Sequence, residues 1–281
     1  MIVLYTDFGA FDPYAGQLKA ALAQGVPAGT RLIDLLHEAP RFDIPAGAHL
    51  LDALQGQFPS GTIFVCAVDP GVGGERAAAL VRADDKWFVG PDNGLLSVAA
   101  ARARAAESWH VAWRPERLRP SFHARDVFAP VAAALARGEF PDERLRPVRA
   151  LDVELPATDL ARIIYIDHYG NAMTGLRAGC LAHDRCLEVS GRSVRYARIF
   201  GEAAADEPFW YENSIDLIEL AIDRASAAAR LRLAIGDPVG GLALPGAQAT
   251  GPACAAAKTA GQAAGQAAST PMPKPGSASV Q

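Results

Sequence analysis

The chain has 281 residues, 50% hydrophobic and 21% charged, enough for one large or two medium globular domains. Its 27 basic and 31 acidic residues are interspersed and leave a net charge of −4, so it lacks the basic stripe that a nucleic-acid partner demands. No stretch approaches about eighteen uninterrupted apolar residues, and MIVLYTDFG has neither the charged nor the apolar region of an export signal, so no membrane partner and a cytoplasmic location are expected. Short apolar runs then appear in order: IVLYTD from residue 2, TRLIDLL from 30, TIFVCAVD from 62 and KWFVGPD from 86. Between them, PYAGQLKAALAQG and PAGAHLLDALQGQF repeat apolar residues three and four apart and end near Gly25 and Gly56, which predicts helices. Another helix is expected from Asp126, in DVFAPVAAALARG, with Gly138 as its terminator. Strands alternating with helices predict an α/β domain over residues 1–145 with a mostly parallel sheet. Residues 146–159 lack a clear period and read as a linker. The runs ARIIYID, CLEVSG, SVRYARIF, DLIELAI and ARLRLAIGDPV predict a smaller all-β domain over 160–244. From 245 to 281 the composition collapses to small and polar residues, a tail expected to be disordered and without a catalytic role.

In an open α/β sheet ligands bind at the carboxyl ends of strands. Four apolar runs end there in an acid: Asp7, Asp69, Asp92 and Asp167. Any one of them could simply cap the next helix or turn, and Asp92, in PDNG, is read that way. After Asp69 comes PGVGGER, whose glycines permit close backbone approach and whose Arg76 returns a charge to the same place. It is no named phosphate loop, because Arg76 stands where a third glycine would be required. No G-x-S-x-G or H-E-x-x-H occurs, which removes serine-hydrolase and zincin readings. SFHARD places His123 and Arg125 just ahead of a predicted helix. Cys180, His183 and Cys186 have a spacing that three zinc ligands could share, but no further ligand pair follows, so the segment is read as incidental surface.

Taken in order, TDFG at 6–9, VDPGVGGER at 68–76, PDNGLL at 91–96, FHARD at 122–126, IDHYGNAMT at 166–174 and NS at 213–214 resemble the S-adenosyl-L-methionine hydroxide adenosyltransferases, hydrolytic relatives of the fluorinating and chlorinating enzymes. The resemblance spans roughly residues 1–240. It implies a barrel-like second domain, a homotrimer with the substrate between one subunit's first domain and its neighbour's second, and cleavage of S-adenosyl-L-methionine by water without metal or cofactor. By the same resemblance Asp7 would accept both ribose hydroxyls and Asp12 would lie near the methionine ammonium. Asp167, Asn171 and Ser214 would be substrate contacts of the second domain, Asp167 and Ser214 at the methionine end, and Glu219 and the backbone at Ile222 would meet the adenine edge. Phe42 and Phe200 match aromatic positions around the substrate, a role for which core packing is the competitor.

Asp69, Arg76 and His123 match the family's water-handling triad. A carboxylate at Asp69 would repel a halide, and AAALVRADDKWFVG makes only a short connection where the fluorinating enzymes carry a longer loop. With an arginine partner Asp69 is the poorer base, so His123 is expected to take the proton while Asp69 and Arg76 orient the water. This chain departs from the usual family residues at Ala124, Gly175, Ile215 and Asp216. Three rival readings stay open at this point. One is a metal-dependent hydrolase built on Asp7, Asp69, Asp92 and His123; the others are a binding protein without turnover and a halide-using enzyme.

Overall fold

The computed structural model describes residues 1–241; the tail from 245 lies outside the described residues. Strands β1 (Ile2–Thr6), β2 (Leu32–Leu36) and β3 (Ile63–Ala67) form at the predicted apolar runs, with helices α1 (Pro13–Gly25) and α2 (Ile44–Gln55) between them. Each helix has a proline in its first turn, where the missing N–H has no partner to lose. Then come β4 (Ala78–Ala83), β5 (Lys86–Pro91), α3 (Ser97–Arg102), β6 (Ala106–Val111), α4 (Ala129–Ala136) and β7 (Leu145–Val148).

These strands make one seven-stranded sheet in the order β2-β1-β3-β5-β4-β6-β7. The first four are parallel, whereas β4, β6 and β7 pair antiparallel with their neighbours. The sheet is therefore mixed, and the expectation of a mostly parallel sheet holds for only half of it. The cause is local: Asp84 and Asp85 adopt left-handed φ values of 43° and 61°, closing a two-residue hairpin that reverses the chain. The Asp84 carboxylate fixes the hairpin by accepting from the amides of Arg104 and Ala105. Strand β7 carries this sheet into the segment that reads as a linker.

Alternation along β1 sends Val3 and Tyr5 to one face and Ile2 and Leu4 to the other. Both faces are covered, which is why the whole strand is buried. Leu50 and Leu51 of α2 and Ala99 of α3 pack on the first face; Leu18 and Leu22 of α1 and Val131 of α4 pack on the second. Gly25 lets α1 approach α4, since a Cβ there would fall 2.9 Å from that of Ala133.

The second domain contains β8 (Leu160–Ile166), β9 (Ala172–Arg177), β10 (Leu187–Val189), β11 (Arg192–Tyr196), β12 (Phe209–Glu212) and β13 (Leu217–Ala221). They form a curled half-barrel in the order β10-β11-β12-β13-β9-β8, antiparallel except between β11 and β12. Trp210 is fully buried at its centre. Strands β9 and β12 are not among the expected runs, and the strand expected at ARLRLAIGDPV does not form: its start is the end of a short helix, α5 (Ala227–Leu231), too short to show a period, and the rest is mainly turn.

The domains share a core in which Leu151, Ile164 and Leu217 join the α2 face of the first sheet. Arg102 bonds Asp52 at 2.7 Å, Asp159 at 3.3 Å and the Ala157 carbonyl at 2.9 Å, while Arg162 donates to Asp43 at 2.7 Å. Among the described residues no helix is long and apolar enough to cross a membrane.

Candidate active site

The turn after β1 carries Asp7 and Asp12, whose carboxylates bond no other side chain among the described residues. The Asp7 amide donates to Ala67 and the Gly9 amide to the His37 carbonyl at 2.7 Å, so the turn is stitched to the ends of β2 and β3. Beneath it Thr6 is fully buried and its hydroxyl pairs with His37 Nδ1 at 2.7 Å, while His37 Nε2 lies 3.0 Å from Asp34. Gly9 has φ +87°, and a Cβ there would fall 2.4 Å from Asp12 Oδ2. Asp12 precedes α1 in the N-cap position yet makes no capping bond. The Asp12 carboxylate lies over Gly9 instead. Asp7 and Asp12 line a polar cleft of about 280 Å³ with Glu38, Arg41 and Tyr165. Burial, reinforced by nearby Asp69 and opposed by a backbone hydrogen bond and Arg41, pushes the Asp7 carboxyl up to about 6.

The turn after β3 brings Asp69, Arg76 and His123 together. Arg76 Nε donates to Asp69 Oδ1 at 2.8 Å, Arg76 Nη2 binds Asp69 Oδ2, and Nη1 reaches the Ala77 carbonyl at 3.0 Å. Gly73, with φ +83°, makes the tight turn possible and passes so near Pro120 that a Cβ would lie 2.8 Å from its carbonyl oxygen. His123 stands at the start of a π-type turn, Ala124–Phe128, that leads into α4. The ring is nearly fully buried, and Arg76 Nη2 lies 3.2 Å from its Nδ1. A guanidinium can only donate, so Nδ1 is the acceptor and a neutral ring carries its proton on Nε2. Burial and the Arg76 charge hold His123 below the usual histidine range, which keeps it neutral. A ring in this state offers a donor at Nε2, so the expected role of His123 as proton acceptor does not fit its bonding.

Asp92 belongs elsewhere. His110 Nε2 lies 2.8 Å from its Oδ2, Arg146 Nη2 lies 3.1 Å from His110 Nδ1, and the amides of Asp152 and Val153 donate to the Asp92 carboxylate. Asp92, His110 and Asp152 are the three-residue cluster close enough for a metal among the described residues. Arg146 occupies Nδ1 as a donor and so leaves the proton on Nε2, where a metal would need a lone pair. The metal-hydrolase set of Asp7, Asp69, Asp92 and His123 does not converge in this way. Of the zinc-like trio, Cys180 is exposed and His183 is stacked on Tyr196 with ring centroids 3.9 Å apart, but Cys186 is buried, so the surface reading holds for only part of the segment.

The second domain's residues gather around two further clefts. One, about 680 Å³, is lined by Asp167, Asn171, Phe200 and Ile222, joined by Tyr169, Tyr211 and Arg224, which sequence reasoning did not single out. The other, about 450 Å³, holds Ser214 and Glu219, with Asp167 shared between both. Glu219 and Ile222 thus face different clefts. Glu219 is buried, accepts from Asn213 Nδ2 at 2.7 Å and, chiefly through burial, is held above the usual carboxylate range. Asp167 accepts from the amides of Tyr169 and Asn171 and from the Asn171 side chain, bonds that shape the β8–β9 turn. Phe200 packs edge-on against Phe209 and Tyr211, whereas Phe42 is 76% exposed with a left-handed φ of 63°. Core packing is thereby excluded for Phe42.

Each departure from the usual family residues has a local setting. Ala124 is buried inside the π-type turn. Gly175 passes under β8, where a Cβ would meet that of Leu160 at 2.6 Å. Ile215 follows the Asn213 cap, and Asp216 has φ +58°, a position glycine would occupy without strain.

The SAM hydroxide adenosyltransferase N-terminal domain matches residues 2–145, and the C-terminal domain of the same name matches residues 161–240. The chain belongs to the SAM hydroxide adenosyltransferase family. It is 36% identical over 263 residues to the (R)-S-adenosyl-L-methionine hydrolase of Thermus thermophilus, covering 85% of this chain and 98% of that protein. The fluorinase of Nocardia brasiliensis is more distant, at 25% over 214 residues, 63% of this chain and 71% of that one. A crystal structure of a conserved protein from Thermotoga maritima superposes with a TM-score of 0.77 at 27% identity, covering 85% of this chain and 98% of that one.

Proposed function

We propose that this family member hydrolyses S-adenosyl-L-methionine to adenosine and L-methionine, by in-line attack of water on the ribose 5′ carbon. The observation that carries this reading is the buried Asp69–Arg76–His123 constellation, a carboxylate fixed where an attacking oxygen can be held and where an anionic nucleophile would be repelled. The departing thioether is neutral, so the reaction needs no general acid. The difficulty is to hold an oxygen in line with the breaking bond in a dry site. His123 Nε2–H and Arg76 orient the water. As the new C–O bond forms, the oxygen's proton becomes acidic and passes to an outer lone pair of Asp69, already placed by its two bonds to Arg76. Attack by incipient hydroxide on a sulfonium annihilates charge, which burial favours.

Asp7 takes the ribose diol, and Asp12 faces the ammonium. The second domain's clefts, with Asn171, Phe200 and Ile222 in one and Ser214 in the other, supply the contacts for the rest of the substrate. The exposure of Phe42 and Tyr169 beside these half-sites supports a homotrimer in which each site is completed by a neighbouring copy. A cytoplasmic location fits such a substrate.

The test is to incubate the chelator-treated chain with S-adenosyl-L-methionine in ¹⁸O-enriched water, with and without chloride, and weigh the nucleoside. Adenosine labelled at the 5′ oxygen and indifferent to chloride is expected. A chlorinated nucleoside, or retained but uncleaved substrate, would overturn the reading.

A further inference from the structure

Arg41 stands out among the cations around the site. Arg76, Arg102 and Arg162 each hold a carboxylate at bonding distance. Among the described residues Arg41 makes no hydrogen bond or ion pair, although it lines the same cleft as Asp7, Asp12 and Glu38 and acts on Asp7 through its charge. A long side chain next to three carboxylates would ordinarily close a salt bridge. Here none closes, and the cleft keeps one open guanidinium facing an acidic wall.

The backbone that carries Arg41 is pinned on both sides. The Ala39 amide donates to the Thr6 carbonyl at 3.0 Å, and Asp43 is tied at once to the α2 cap and to Arg162 of the second domain. Between these anchors Pro40 fixes one φ and Phe42 is held in the left-handed region. An aromatic residue pays strain for that conformation, and such strain clusters at ligand-holding loops. The loop is thus a rigid platform rather than a flexible connection.

An α-amino acid carries its ammonium and its carboxylate on one carbon, so a site that reads both must offer opposite charges a few ångströms apart. This cleft does so. We propose that Arg41 is a specificity residue, its planar guanidinium receiving the α-carboxylate of the methionine moiety while Asp12 and Glu38 hold the α-ammonium. A forked donor suits a carboxylate better than a single hydroxyl does. The inference rests on the hydrolase reading and deepens it: on the first-domain side of the site the amino-acid end is read as a zwitterion, alongside whatever contacts the second domain adds.

Steady-state turnover of the full chain is to be compared for S-adenosyl-L-methionine and for its decarboxylated analogue, at about pH 8 so that Asp7, which titrates at about 6, stays ionised in every variant. Arg41→Gln should lower kcat/KM for the natural substrate about ten- to hundredfold, mainly through KM, the scale of a lost hydrogen bond to a charged group. The decarboxylated analogue should change by less than about twofold, the usual scale of an exposed charge with no partner. Arg41→Lys should recover part of the preference. An equal fall for both substrates, or no fall for either, would overturn the assignment. Absence of adenosine from either substrate with the unsubstituted chain would instead overturn the hydrolase reading, so the two failures are distinguishable.

Discussion

Because Arg76 donates to Nδ1 of His123, the histidine can offer only a donor to the water, and the two partners of Arg76 should respond differently to substitution. Asp69→Asn removes the proton's destination and should lower kcat by about 10²–10⁴-fold, whereas His123→Gln keeps a donor and should lose about tenfold. Single-turnover rates would show the order; the reverse order would return the proton to His123. The Asp7 carboxyl gives a second expectation. Its ionised form accepts the ribose hydroxyls, and its pKa is raised to about 6. The binding-competent species is therefore lost as pH falls through that value, and kcat/KM should drop about tenfold per pH unit below it while levelling off above about 7. Burial and Arg76 hold His123 below the usual histidine range, so any limb it adds falls on the acid side. Asp7→Asn should abolish the acidic limb at a low, flat level of activity; a surviving limb would assign the titration to another group.

At the level of elements, the turns decide which residues are tolerated. Gly175 lies where a Cβ would be 2.6 Å from Leu160 Cβ and 2.7 Å from its carbonyl oxygen. Restoring the asparagine usual in the family, Gly175→Asn, should destabilise the fold by about 1–3 kcal/mol, as overpacking does, with a lower urea midpoint at unchanged slope. This residue also shows where sequence reasoning stops. The strands β1, β3 and β5 and the motif turns at Asp7 and Asp69 were legible because their signals are local: an apolar run, then an acid, then glycine. Strand β4 was not, since AALVRA is rich in alanine and its reversal depends on two aspartates in a conformation that glycine or asparagine usually supplies. The pairing of His123 with Arg76 spans 47 positions, and it was the tautomer set by that bond, rather than the residues themselves, that the sequence could not reveal. The strand-end rule, applied to β2 as it was to β1 and β3, would have reached Glu38 and Arg41.

Across the whole molecule, the two domains meet over a group that resists charge. His49 of α2 is 3% exposed, has no partner for Nδ1 among the described residues, and is held down to about 4 by burial and by Arg102. Unfolded histidine titrates near 6.5. Between about 6.5 and 4 the unfolded chain binds a proton that the folded chain refuses, so stability is complete above this window and declines as pH falls through it. The contribution of His49 alone to this loss at pH 5 is on the order of 1–2 kcal/mol, opposed over the same interval by Asp7, whose raised carboxyl gains stability as it protonates. Urea titrations at pH 7 and pH 5 should show a change less favourable by about this contribution in the native chain than in His49→Gln; equal changes would place the acid sensitivity elsewhere. The reversed strand has a different consequence. Because Ala78 of β4 pairs with Pro91 at the end of β5, Arg76 reaches the reactive edge although it precedes its strand, and the hairpin tip at Asp84 and Asp85 is sent to the far edge of the sheet. A fluorescent protein spliced into that tip on flexible linkers would hang away from the substrate's approach, leaving turnover within about twofold of the parent chain and making the tip a natural handle for immobilisation or imaging.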